Sequence, residues 1–164
     1  MGMIRKMKAL LLLSTGGLAL TLAFAGPVYA NGVVESVHVG GPDICSAIGA
    51  DPGCDANFSF TANKFADGSV KGQFTDRLAS GVTIKATLDC LVVSGNKAWV
   101  SGTITRPAEL AGLLLNTVAV DNGKSANDVA DEISFSYFFL DTTCDAMRED
   151  LQLFSVPEGQ VTIK

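Results

Sequence analysis

The residues whose chemistry is easiest to name lie in an acidic segment, 121–132, whose carboxylate and amide oxygens could bind a hard cation such as calcium. Asp121 and Glu132 occupy its first and twelfth positions, as the end ligands of an EF-hand loop do. That template requires glycine at the sixth position, where this segment has Ala126, so the loop is not an EF-hand. A solvated loop explains these residues, and we predict no bound metal and no cofactor. A nonstandard calcium site remains open, and its oxygen donors would be Asp121, Asn127, Asp128 and Asp131.

Nucleophilic catalysis has little support in the sequence. A serine or cysteine nucleophile needs a base within hydrogen-bond reach, and the only histidine is His38, which alternates with Val37 and Val39 in a predicted strand. The chain contains no GxSxG elbow, no GxGxxG and no phosphate-binding GxxxxGK loop. We therefore predict no catalytic residue. A pair of carboxylates of the glycosidase kind leaves no spacing signature, and the 17 acidic residues could supply one, so hydrolysis stays the alternative.

Four cysteines carry the other chemistry that the sequence offers. They form no CxxC pair and have no histidine nearby, which argues against zinc. In an oxidising compartment they would form two disulfides, and three pairings are open to them. The segment 40–55, which contains Cys45 and Cys54, is rich in glycine, proline and aspartate, so we favour a local Cys45–Cys54 bridge. That pairing leaves Cys90 with Cys144.

The first thirty residues have the order of a secretory signal peptide. A basic start with Arg5, Lys6 and Lys8 precedes an apolar stretch over 9–24, which at 16 residues is shorter than the roughly 20 that span a bilayer. Val28 and Ala30 stand at the −3 and −1 positions of a cleavage site. We predict a mature chain of one domain, 31–164, that is secreted to a periplasm or outside the cell and is not inserted in a membrane.

The charge of the mature chain excludes some partners. Its 134 residues contain 9 basic and 17 acidic groups, whereas a nucleic-acid binder needs a basic face to displace counterions. Its phenylalanine, valine and isoleucine content also argues against disorder.

Apolar and polar residues alternate through most of the mature chain, which predicts an all-β domain. Phe58, Phe60 and Ala62 share one face of a predicted strand, and Asp67-Gly68 supplies the positive φ angles of a tight hairpin. About eight or nine strands without a long amphipathic helix favour an antiparallel β-sandwich, with a closed barrel as the alternative. The predicted strands are 33–39, 57–65, 69–78, 82–93, 97–106, 113–121, 133–140, 151–156 and 160–163.

Strict alternation also assigns side chains to faces. In the strand 82–93, Cys90 and Val92 fall on the same side as Ile84 and Leu88, so all four are predicted to point inward. In the next strand Trp99 falls on the less apolar face, which predicts a surface aromatic.

Four segments resemble a loose group of small secreted bacterial β-domains. They are 58–60 at the first hairpin, 91–98 at the central hairpin, 118–123 before the polar loop and 131–135 after it. The resemblance implies a sandwich-like fold and a secreted location, with no catalytic chemistry. It does not cover the segment 40–55.

These observations favour a secreted, non-catalytic module, an interaction or envelope protein whose loops or sheet face contacts a protein or carbohydrate partner. The alternative from a different class is a small extracellular hydrolase that acts on polysaccharide through paired carboxylates. Two acids facing each other across a cleft would favour the hydrolase.

Overall fold

The computed structural model describes residues 32–42, 55–123, 129–134, 142–156 and 160–164. All of them belong to the unit Asn31–Lys164. The predicted signal peptide, the Cys45–Cys54 bridge and the candidate ligands Asn127 and Asp128 lie outside these ranges, as does most of the predicted strand 133–140. Within the described part of the chain, no helix has the length and apolar character needed to cross a membrane.

The all-β prediction is confirmed, since the described residues form nine strands and one short 3₁₀ turn, Cys144–Ala146. Most strands begin and end within two or three residues of their predicted bounds because glycine-containing turns separate them. The strands are β1 Val33–Pro42, β2 Asp55–Phe65, β3 Val70–Leu78, β4 Thr83–Ser94, β5 Lys97–Arg106, β6 Leu114–Val120, β7 Glu132–Ser134, β8 Leu153–Ser155 and β9 Gln160–Ile163.

The nine described strands join into one antiparallel sheet with the order β8-β7-β6-β5-β4-β3-β2-β1-β9. Strands β1 to β8 follow each other across the sheet, and β9 returns to pair with the free side of β1, with Val39 opposite Val161. The sheet curls into a half-barrel. Its concave face holds one apolar core to which strands from both ends of the sheet contribute, including Val37, Phe60, Leu115 and Val161.

Two glycines at the centre of the sheet lie in close contact with the backbones of neighbouring strands. Gly72 of β3 and Gly102 of β5 both lie opposite Leu88 of β4, which is fully buried. A Cβ at Gly72 would lie 2.9 Å from the Cα of Ala62, and one at Gly102 would lie 2.7 Å from the Cα of Leu88. Backbones approach this closely only where a side chain is absent, so these positions require glycine.

The prediction that Cys90 and Val92 point into the main core is wrong. The pairing of β4 with β5 shifts between Leu88 and Cys90, so that Asp89 is an extra residue, a β-bulge. A bulge reverses the alternation beyond it. Leu88 and Leu91 therefore face the main core, whereas Cys90 and Val92 face the opposite side of the sheet.

The prediction that Trp99 is a surface aromatic is also wrong, because this side chain is 4% exposed in a second apolar cluster on the convex face. Its Nε1 donates a hydrogen bond to the carbonyl of Arg148 over 3.1 Å, and the Nζ of Lys97 lies 4.9 Å from its ring. The segment 142–152 covers this cluster, and a disulfide between Cys90 and Cys144 attaches the segment to β4. This bridge is the long-range pairing that the sequence favours.

The tight turn predicted at Asp67-Gly68 is present, but the prediction that both residues have positive φ angles is wrong for Asp67. Gly68 has a φ of +83°, and its N–H donates to the carbonyl of Phe65 over 2.8 Å. The carboxylate of Asp67 accepts hydrogen bonds from the hydroxyl and the N–H of Ser69. These bonds, above all the one from the hydroxyl, lower the pKa of Asp67 below its usual value.

Candidate functional site

Two donors of the alternative calcium site, Asp121 and Asp131, lie near each other, and their carboxylates accept hydrogen bonds from backbone N–H groups. Asp121 accepts from Gly123 and from Ile163 of β9, each over 3.1 Å. Asp131 accepts from Asn122 over 2.9 Å and from Val161 of β9 over 2.8 Å. All four carboxylate oxygens therefore have a donor from the chain itself.

These bonds connect the two ends of the sheet. Strand β9 lies beyond β1 at one end, whereas Asp121 and Asp131 flank β6 and β7 toward the other. The carbonyl of Asp131 also accepts from Val156, next to β8, over 2.8 Å. The two aspartates thus replace part of a hydrogen-bond ladder between β9 and the β6–β7 end of the sheet, which is a structural role.

Substitution of Asp131 by alanine is expected to lower the free energy of unfolding by about 2 kcal/mol. The change leaves the N–H groups of Asn122 and Val161 without their acceptor in a region where Asp131 is only 9% exposed. Urea denaturation measures the loss. The control is Glu109→Ala, an exposed acid in the turn after β5, which should leave stability unchanged; equal stability of the two variants would contradict the structural role.

Calcium is expected to leave the melting temperature unchanged. A cation would have to share carboxylate oxygens that already accept backbone hydrogen bonds. Occupancy at a hundredfold excess over Kd would add about 2.7 kcal/mol of stability, a rise of several degrees. Calorimetric scans with millimolar calcium and then with chelator test this, and a rise that Asp128→Ala abolishes would establish the site.

The surroundings of Cys90, Cys144 and His38 do not support metal binding or nucleophilic catalysis by these residues. A sulfur of Cys90, a sulfur of Cys144 and a carboxylate oxygen of Asp145 lie within 4.8 Å of one another, but the two sulfurs are bonded to each other and are not thiolate ligands. His38 is exposed on the convex face of β1, between Thr61 of β2 and Thr162 of β9. The described residues Cys90, Cys144 and His38 thus form no recognised catalytic arrangement.

An open groove crosses the convex face of β2 to β5 and ends at the turn that follows β5. Its volume is about 890 Å³. A second depression of about 320 Å³ shares Thr75, Lys85, Thr105 and Arg106 with it and extends it toward Gln73 and Thr87. The lining of the larger depression is hydroxyl, amide and cationic, with small apolar side chains at one end: Asn57, Thr75, Arg77, Gly81, Thr83, Lys85, Thr105, Arg106, Pro107, Ala108 and Ala111.

Three cations of this groove, which we call the cationic triad, are Arg77, Lys85 and Arg106. Lys85 lies directly opposite Arg106 in the pairing of β4 with β5, and it lies opposite Thr75, two residues from Arg77, in the pairing with β3. A second bulge sets this arrangement, because Thr105 is an extra residue in β5 and its hydroxyl donates to the carbonyl of Lys85 over 3.2 Å. The bulge brings Arg106 beside Lys85.

None of the ion pairs found among the described side chains includes a member of the cationic triad. Other cations of the chain do have such partners: Lys64 pairs with Glu35, Lys97 with Glu149 and Arg148 with Asp150. All three members of the triad are exposed. The described side chains that line the groove thus concentrate positive charge on an acidic protein.

The sequence of no single strand indicates this groove. Arg77 and Lys85 lie on the polar faces of their own strands, where a charged residue is ordinary, whereas simple alternation assigns Arg106 to the same face as Ile104. The signal lies in the strand register, which places the three strands' cations side by side, and the bulge at Thr105 hides that register from a simple alternation.

The described part of the chain is therefore an all-β protein with one curled antiparallel sheet, a disulfide between β4 and the segment that covers Trp99, and a cationic groove. No protein-family model matches the chain, and no curated protein or solved structure matches it either. The resemblance to small secreted bacterial β-domains stays a prediction.

Proposed function

We propose that the protein is a secreted, non-catalytic interaction module whose contact surface is the groove on the convex face of β2 to β5. The observation that carries this proposal is the lining of the groove, which combines hydrogen-bonding side chains such as Asn57 and Thr83 with three cations. Such groups hold a polar partner by many weak contacts.

The lining favours binding over hydrolysis. A glycosidase needs two carboxyl groups on either side of the bond that it breaks. Among the described residues that line the groove there is no aspartate, glutamate or histidine. Asp121 and Asp131, the acids that the structure does bring together, are engaged by backbone N–H groups.

For the architecture we propose a sandwich-like arrangement in which the two halves of one curled sheet pack on a shared core. Its support is that Val37 and Val161 from one end of the sheet and Leu115 and Ile133 from the other belong to the same apolar cluster. Export rests on the signal-like residues 1–30, and the Cys90–Cys144 disulfide agrees with an oxidising compartment.

A turnover assay separates the module from the hydrolase. The exported protein is incubated with a panel of neutral and acidic polysaccharides, and the reducing ends released are measured against a blank. We expect no release. Release that a single aspartate or glutamate substitution abolishes, without loss of the folded state, would show that the protein is an enzyme.

A further inference from the structure

We infer that the groove binds a polysaccharide that carries carboxylates on its sugars, a polyuronate, through Arg77, Lys85 and Arg106. This inference rests on the proposed function, since it names the partner of the same surface.

Two cations of the groove lie on neighbouring strands in a position where they repel each other. Like charges placed directly opposite each other on neighbouring strands destabilise a sheet, and Lys85 opposite Arg106 is such a pair. None of the ion pairs found among the described side chains includes either residue. The repulsion between Lys85 and Arg106 lowers the stability of the free protein, and an anionic ligand would relieve it.

The acidity of the whole protein does not prevent this binding. At physiological ionic strength charges are screened over about 8 Å, so an anion in the groove interacts chiefly with the groups that line it. Those groups are positive or neutral in both depressions. The net negative charge elsewhere would instead weaken adsorption of a polyanion at other places on the surface.

The shape of the groove and its N–H donors also fit a polyuronate. A guanidinium presents two parallel N–H donors that match a carboxylate, and the groove has two arginines, Arg77 and Arg106, with Lys85 between their strands. The shared residues of the two depressions make the groove longer than one of them alone. A polymer with a carboxylate on successive sugars supplies anions along such a path.

The neutral lining favours a carbohydrate over an acidic protein. Protein interfaces are centred on large apolar or aromatic anchors. The apolar side chains at the end of the larger depression are Pro107, Ala108 and Ala111, which are small, and the remaining neutral groups are the hydroxyls and amide of Asn57, Thr75, Thr83 and Thr105. Hydroxyl and amide groups match the hydroxyls of sugars.

Affinity electrophoresis with two matched polymers tests the inference. The native protein is run through gels that contain polygalacturonate or its fully methyl-esterified form, which has the same backbone without the charge. We expect the acid form to retard the native protein. The affinity of Arg106→Gln for this polymer should be weaker by about tenfold or more, because a charged hydrogen bond is lost. The methyl ester should retard the protein at least tenfold less, and 0.5 M salt should reduce binding to the acid form.

Two further variants control for folding and for net charge. Lys71→Gln removes the same charge from the convex face outside the groove, where Lys71 lies 5.8 Å from the ring of Phe65, and should retain the native affinity within twofold. The melting temperature of ligand-free Arg106→Gln should be equal to or above that of the native protein, because a like-charge pair is removed. A fall in that temperature would show that repulsion between Lys85 and Arg106 does not destabilise the free protein.

Three results would overturn the inference. They are no retardation by polygalacturonate, equal retardation by the methyl ester, and equal losses in Arg106→Gln and Lys71→Gln. Poly-glutamate that binds more tightly than polygalacturonate at equal charge would assign the groove to an acidic protein instead. Each of these results is compatible with a non-catalytic module. Release of reducing ends in the turnover assay would instead contradict the proposed function itself.

Discussion

Removal of the Cys90–Cys144 disulfide, by Cys90→Ala with Cys144→Ala, is expected to lower the free energy of unfolding by about 4 kcal/mol. The two cysteines are 54 residues apart, and on the chain-entropy model a loop of this length restricts the unfolded state by about that amount. For a domain of this size the melting temperature should fall by about 15 °C. Urea denaturation and thermal scans of the oxidised variant measure both quantities.

The same variant should also change the surroundings of Trp99, the only tryptophan of the chain. Cys144 packs against Trp99, so an unanchored segment 142–152 should admit water and shift the tryptophan emission to longer wavelength. The matched control is Cys45→Ala with Cys54→Ala, which removes the other predicted bridge and should leave the emission unchanged. A red shift in the control and none in the test variant would contradict the assignment.

Substitution of Gly102 by alanine is expected to destabilise the protein by about 3 kcal/mol. The new Cβ would lie 2.7 Å from the Cα of Leu88, so β4 and β5 would have to separate at the centre of the sheet. Backbone atoms cannot rotate away as the end of a side chain can. Chemical denaturation of the variant measures the loss.

Gly40→Ala is the control for this prediction. Gly40 lies in β1, and a Cβ there would meet no atom within 4 Å. The variant should therefore be as stable as the native protein, within about 0.5 kcal/mol. Equal losses at the two positions would mean that a general effect of replacing glycine in strands, and not close backbone approach, sets the stability.

The strands of this fold are predictable because their signals are local. Phe58 and Phe60 alternate with Ser59, and glycines with positive φ angles, such as Gly68 and Gly95, mark the turns. The Cys90–Cys144 pairing is the one that the sequence favours among three, because a local Cys45–Cys54 bridge would leave these two cysteines. These features need no knowledge of which strands are neighbours.

The faces of β4 and the groove could not be predicted in this way, because both depend on bulges. The extra residue Asp89 turns Cys90 from the main core to the convex face, and the extra residue Thr105 sets Arg106 beside Lys85. A bulge is a property of two paired strands, and one strand's sequence does not show it. The burial of Trp99 is not predictable from its own strand either, because the segment 142–152 that covers it is distant in the sequence.

The acidic segment 121–132 shows a further limit of pattern reading. From the sequence alone, its carboxylates could equally bind a cation or be solvated. In the structure, Asp121 and Asp131 accept hydrogen bonds from the N–H groups of Ile163 and Val161 of β9. Their partners are 42 and 30 residues away along the chain, and nothing near the segment indicates them.

The proposal that the groove is the contact surface is tested most directly by NMR, with a galacturonate tetramer added to the ¹⁵N-labelled protein. We expect the largest amide shift changes at Arg77, Lys85, Thr105 and Arg106, with little change at Lys71 or around Trp99. Changes confined to residues outside the groove, or none at millimolar tetramer, would contradict it.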